Sequence, residues 1–205
     1  MSEHRMDGPL SGNFRPMENL LEAPGLNPTR ITPIDVRDNL PHTGVWPSRP
    51  LADITAIIHH QSMGMLTARG IAHYHQNVDP RGTPYGRGWP AIAYHLVVEQ
   101  DGRVYWCLPW EARSYHSGGE ANHYGVGVCW AGNFPGPGYQ VAYSGLTLGH
   151  PTAQQAAVFR AVNDLLRETL NVQRTEVYGH CDQGKKKPAC PGDEMMALVS
   201  SYRGW

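Results

Sequence analysis

The chain carries almost no net charge: Lys and Arg number 17 against 18 Asp and Glu, giving −1 at pH 7. That balance excludes field-driven affinity for nucleic acid or for an anionic membrane surface. No stretch approaches the ~18 consecutive apolar residues of a spanning helix, so no membrane insertion is expected. The N-terminus, MSEHRMDGPLSGNF, lacks an apolar h-region. A secretory signal is therefore not expected, and synthesis in the cytoplasm is. Cysteines are few, with Cys107, Cys129, Cys181 and Cys190 in apolar or loop contexts. They show no dense spacing, which argues against a disulfide scaffold. Also missing are H-E-x-x-H, G-x-S-x-G, a P-C-x-x-C pair and a phosphate-cradling glycine loop, which removes zincin, serine-hydrolase, deaminase and nucleotide chemistry.

What is abundant is glycine (23) and proline (17) in 205 residues, enough chain for one sizeable core surrounded by loops. Prolines recur through Pro50, so residues 1–50 read as an extended arm with a short strand near Ile34–Val36, and residues 51–205 as the domain. Ile54 to His59 reads as a buried strand and Thr67 to about Gln76 as a short helix. An Asp101-Gly102 turn joins Ala91–Glu99 to Arg103–Cys107 as a hairpin. Gly125 to Ala131 is a further strand, with Val126, Val128 and Trp130 on one face and Gly127 and Cys129 on the other. Thr152 with Gln155 forms a capping box, followed by an apolar stripe through Val158, Val162 and Leu165. A strand over Thr175–Tyr178 and a closing helix from Asp193 complete an α/β domain, a single sheet flanked by helices.

Chemistry concentrates in Val177–Asp193, VYGHCDQGKKKPACPGD. His180 ends a β-prone run, a polar loop follows, and Cys190 precedes Pro191-Gly192. Imidazole and thiolate are both zinc ligands, and a loop of this length can bring them to one ion. A third ligand must come from elsewhere, and the candidates are His59 and His60 in AIIHHQS. Adjacent strand residues point to opposite faces, so only one of the two can join. Two His and one Cys leave the fourth tetrahedral position for water, the pattern of one catalytic zinc. Cys181 as a fourth protein ligand would make a closed structural site instead. His73 and His75 are assigned no metal role.

Several segments together resemble the zinc-dependent N-acetylmuramoyl-L-alanine amidases, the family shared by phage lysozyme-type endolysins and peptidoglycan recognition proteins. They are AIIHHQS, RGWPAIAYHLVVEQDGRVYW, SYHSGGEANHYGVGVCWAGNF, the PTAQQ helix and YGHCDQGKKKPACPGD, in family order from about Ile54 onward. The resemblance implies a mixed central sheet flanked by helices. It implies zinc ligands at His59, His180 and Cys190, a catalytic tyrosine at Tyr94, and substrate-binding residues at His116 and Asn122. His95, on the opposite strand face from Tyr94, is expected beside the site or in a structural role, and is carried among the substrate-binding candidates. Many catalytic members carry Lys or Thr two positions before the last ligand; here that position is Pro188, and Lys187 is the expected substitute. The implied activity is hydrolysis of the amide between N-acetylmuramic acid and L-alanine, with peptidoglycan or a muropeptide as partner, acting as a monomer. The setting would be cell-wall lysis after release, as for an endolysin, or intracellular muropeptides. The alternative implied by the same family is a recognition module that binds without cutting.

Overall fold

A computed structural model describes residues 30–64, 66–77, 86–138, 148–184 and 188–204. Among these, six strands and four helices follow in chain order: β1 Ile34–Asp35, β2 Ala56–Gln61, α1 Ala68–Gln76, β3 Leu96–Val98, β4 Val104–Trp106, α2 Ala121–Tyr124, β5 Gly125–Trp130, α3 Ala153–Leu170, β6 Val177–Gly179 and α4 Asp193–Arg203. The strands form one sheet in the order β1-β4-β3-β5-β2-β6. Only the β3–β4 hairpin is antiparallel; β1–β4, β3–β5, β5–β2 and β2–β6 are parallel. The expected single α/β domain with a mixed sheet is the architecture observed.

The centre of the sheet is β2 beside β5, each six residues long and buried at every position. Strands covered on both faces need apolar or fully satisfied side chains on both, which is why AII and GVGVCW carry no exposed polar alternation. On one face Ile57, Leu96, Val98, Val126, Val128 and Trp130 pack with α3 and α4. On the other, Val97, Tyr105 and Cys129 pack with α1 and with Val36, Leu40 and Trp46 of the N-terminal segment. Residues 36–46 of the expected arm are therefore part of the core, and β1 extends the sheet beyond β4; residues 1–29 of that arm lie outside the described residues.

The long helix α3 begins where its capping box predicts. Gln155 N–H donates to Thr152 Oγ1 at 3.1 Å and Gln155 Oε1 accepts from the Thr152 N–H at 3.1 Å. The same Gln155 amide nitrogen donates to the carbonyls of Val98 and Ala131, tying the helix start to the ends of two strands. The buried side chains Val158, Phe159, Val162, Leu166 and Leu170 then face the sheet, each contributing on the order of 1.5–3 kcal/mol by leaving water. Asn171 ends the helix in the left-handed region, with φ 54°.

One strand differs from its expected span in a way that matters. The sequence pattern places a strand over Ile54–His59, but β2 runs from Ala56 to Gln61. His60 and Gln61 continue the ladder opposite Cys129 and Trp130. Polar side chains do not end a strand when both its faces are roofed and each polar group finds a partner. All four cysteines are thiols.

Candidate metal centre

The site lies near the carboxyl ends of the parallel strands β2 and β6, on the sheet face away from α3. β6 runs into a 3-10 turn over His180–Gln183 that begins with His180. Asp182 stabilises that turn: its carboxylate accepts from the Gly179 N–H at 3.0 Å and meets Arg203 of α4 at 3.3 Å. The loop returns through Ala189, and the Cys190 carbonyl accepts from the Cys181 N–H at 2.8 Å. Gln61 holds the incoming strand of that loop, its Nε2 donating to the Ala189 carbonyl at 2.8 Å and to the Phe134 carbonyl at 3.0 Å. The Gln61 backbone N–H also points at Cys190 Sγ, 3.4 Å away.

These supports bring His60, His180 and Cys190 together, with one ligand atom of each within 4.8 Å of the others. It is the one such group found among the described residues. His60 Nδ1 stands 3.9 Å from Cys190 Sγ, and the rings of His60 and His180 lie 4.5 Å apart. All three side chains are buried. The donor set fits zinc on chemical grounds, being two imidazoles and one thiol, each a ligand type that ion prefers. Cys181 stands outside the group, so a protein fourth ligand is not supplied from there.

His60, and not the expected His59, joins this donor group. His59 points to the α3 face, where its Nδ1 accepts from Trp130 Nε1–H at 2.9 Å and its Nε2 pairs with Asn163 Oδ1 at 3.0 Å. Asn163 Nδ2 donates to the Phe159 carbonyl, which orients Oδ1 toward the imidazole. Both ring nitrogens of His59 are thus used on the wrong side of the sheet. Burial lowers its pKa to about 4, so it packs as a neutral ring.

Tyr94 lies just before β3, its ring 5.2 Å from that of His60. Burial raises its phenol well above 10, and the sulfurs of Cys129 and Cys190 reinforce the shift. The hydroxyl therefore stays protonated at neutral pH and is a donor.

The three residues expected at or beside the substrate are all buried. His95 is completely buried: Gly127 N–H donates to its Nδ1 at 3.0 Å and its Nε2 pairs with the Ala112 carbonyl at 2.9 Å. Neither nitrogen is left for substrate. His116 is buried too, with Nδ1 at 3.0 Å from His60 Nε2 and Nε2 at 3.0 Å from the Gly125 carbonyl. Asn122 is buried, its Oδ1 accepting from the N–H groups of Ser117 and Gly118. All three make hydrogen bonds inside the protein. Lys187 lies outside the described residues, and Pro188 is exposed in the turn before Cys190. Sequence reasoning missed Gln61, Asn163 and Arg49. Gln61 had a usable signal, since a polar residue after two buried histidines in a strand must itself be satisfied.

The N-acetylmuramoyl-L-alanine amidase family model matches residues 50–193, well over half the chain. The chain belongs to that family. Among curated proteins it is similar to peptidoglycan recognition protein 1 of Mus musculus, 28% identical over 137 residues, covering 66% of this chain and 63% of that protein. The chain thus spans less than two thirds of that relative's length. Among solved structures it resembles the endolysin N-acetylmuramoyl-L-alanine amidase LysCS from Clostridium intestinale, with TM-score 0.62 and 22% identity over 84% of this chain and 95% of that one. It also resembles peptidoglycan recognition protein LE in complex with tracheal cytotoxin, a monomeric diaminopimelic acid-type peptidoglycan, with TM-score 0.60 and 18% identity over 84% and 93%. Identities this low establish a shared fold, and the family includes both amidases and recognition proteins.

Proposed function

We propose that this chain is a zinc-dependent amidase that hydrolyses the bond between N-acetylmuramic acid and L-alanine in peptidoglycan. The observation that carries the proposal is the His60–His180–Cys190 group with the Tyr94 phenol beside it. When bound, zinc supplies a Lewis acid for the scissile carbonyl and lowers the pKa of water to about 7. The protein's own part is to present three donors and to keep Tyr94 Oη protonated. From there the phenol donates to the carbonyl oxygen as charge grows on it, a role that preorganised donors fill with large effect. Burial keeps His60 well below its usual pKa, helped by the neighbouring His180 and His116 rings, so its imidazole remains a neutral donor. The proposed setting is cell-wall lysis by a monomer, with wall peptidoglycan or released muropeptides as substrate.

The test is release of new L-alanine amino groups from purified peptidoglycan, without new reducing sugars, measured with and without a zinc chelator. Chelator-sensitive release supports the amidase. A protein that holds zinc and sediments with the wall yet releases nothing is a recognition module, and Pro188, in place of the family's Lys or Thr, becomes the first residue to replace.

A further inference from the structure

His60 and His180 each have one nitrogen already engaged away from Cys190, and both engagements lead to the same short segment, Tyr115–Asn122. His116 Nε2 faces the Gly125 carbonyl, which can only accept, so the proton of His116 sits on Nε2. Its Nδ1 must then be the acceptor for His60 Nε2–H at 3.0 Å. That leaves Nδ1 as the lone-pair nitrogen of His60, the atom 3.9 Å from Cys190 Sγ. His180 is set the same way: its Nε2 donates to the Ser117 carbonyl at 2.8 Å, which makes Nδ1 its lone-pair nitrogen.

The segment is itself anchored. Asn122 Oδ1 gathers the Ser117 and Gly118 N–H groups at 2.8 and 3.1 Å, fixing the peptide next to the Ser117 carbonyl. Arg49, buried and reaching in from the N-terminal side, donates from Nη1 to the Asn122 carbonyl at 2.9 Å and from Nη2 to the Gly125 carbonyl at 2.8 Å. The Gly125 carbonyl thus accepts from Arg49 and His116 together. Gly127 provides the room: a Cβ there would stand 2.8 Å from His116 Cγ and 2.9 Å from its Nδ1.

We propose that Tyr115–Asn122, backed by Arg49, is the outer shell of the metal site, with His116, Asn122 and Arg49 as positioning residues that aim Nδ1 of both histidines at the ion. This rests on the reading that the His–His–Cys group takes zinc, and it removes His116 and Asn122 from substrate recognition. Partners of this kind fix the ring tautomer and orientation of a ligating histidine, and losing one typically weakens metal binding 10–100-fold.

The test is a zinc affinity measured by chelator competition on the full chain, with the cobalt(II) absorption spectrum as a second readout. His116→Leu, which has no acceptor for His60 Nε2–H, is expected to bind zinc about 10–100-fold more weakly and to shift the cobalt bands. His116→Asn places an acceptor near the old Nδ1 and is expected to recover much of the affinity. Gly127→Ala displaces the ring without changing its chemistry, and should weaken zinc even if His116→Leu fails to fold. Asn122→Ala and Arg49→Met should give smaller losses of the same kind. Wild-type zinc affinity and cobalt spectra in foldable His116 and Gly127 variants, with a raised KM alone, would overturn the proposal and return His116 to substrate. Wild-type protein that takes up neither metal would sink the zinc reading itself, a separate outcome.

Discussion

His59 and His60 are neighbours in one strand, both essentially inaccessible to solvent, and both held neutral by burial. They nevertheless belong to different halves of the molecule. On the α3 face, His59 has Trp130 donating to one nitrogen and Asn163 facing the other, a closed arrangement that only supports the core. On the opposite face, His60 has His116 behind one nitrogen, while the other points toward Cys190. Desolvation acts alike on both, so it does not distinguish a structural histidine from a ligand. The arrangement of partners does: a ring satisfied at both nitrogens is finished, whereas a ring backed at one is aimed.

The largest effect that would break this comparison is loss of the ligand side. His60→Ala or Cys190→Ser is expected to remove stoichiometric zinc and bring amide cleavage down to background, read by metal analysis and amino-group release. A His60→Ala protein that keeps both zinc and activity would reverse the assignment. Tyr94→Phe should leave the zinc content alone and lower kcat about 10²–10³-fold, the usual range for one lost oxyanion donor; an unchanged kcat would make Tyr94 a packing residue. His59→Leu sharpens the other side. It strands Trp130 Nε1–H and Asn163 Oδ1 in the core, and urea unfolding should show a loss of about 2–4 kcal/mol with zinc stoichiometry intact below the transition.

The smallest effect is a pH dependence. His75 is buried, accepts the Ala93 N–H on Nδ1 at 3.0 Å, and is pushed by burial down to about 3. The unfolded chain, with a histidine pKa near 6.5, binds this proton first as pH falls. Stability from His75 is therefore complete above about pH 6.5 and is lost progressively toward 3, by about 2 kcal/mol at pH 5. His75→Asn keeps an acceptor for Ala93 and should flatten the slope by about 1.4 kcal/mol per pH unit between pH 6 and 4. Identical slopes in both proteins would mean His75 protonates without opening the fold.

Much of the framework was legible because it is local. The Thr152–Gln155 box, the Asp101-Gly102 hairpin and the alternation in Gly125–Trp130 depend on neighbours within a few residues, and all three are present, although the hairpin's first strand is Leu96–Val98 rather than the expected Ala91–Glu99. His180 and Cys190 were legible as donor types flanking one loop, and Tyr94 through its family motif; all three stand at the centre. The internal partners of His95, His116 and Asn122 were not legible, because a polar residue in a glycine-rich motif looks the same whether it meets substrate or a buried backbone group. Arg49 carried no signal at all, since its two acceptors are backbone carbonyls more than seventy residues away.

By itself the order of residues determined the α/β class, the starts of α1, α3 and α4, and a supply of histidine and cysteine donors suited to one zinc ion. Only the tertiary structure decided which histidine joins them. Side chains in a strand alternate with a period of two, so a shift of one residue exchanges the faces completely. Where β2 sits against β5 and β6 sets that phase, with Gly127 opening space on one face and Asn163 waiting on the other. Those partners come from segments far apart in the chain, and no local pattern around His59 and His60 contains them.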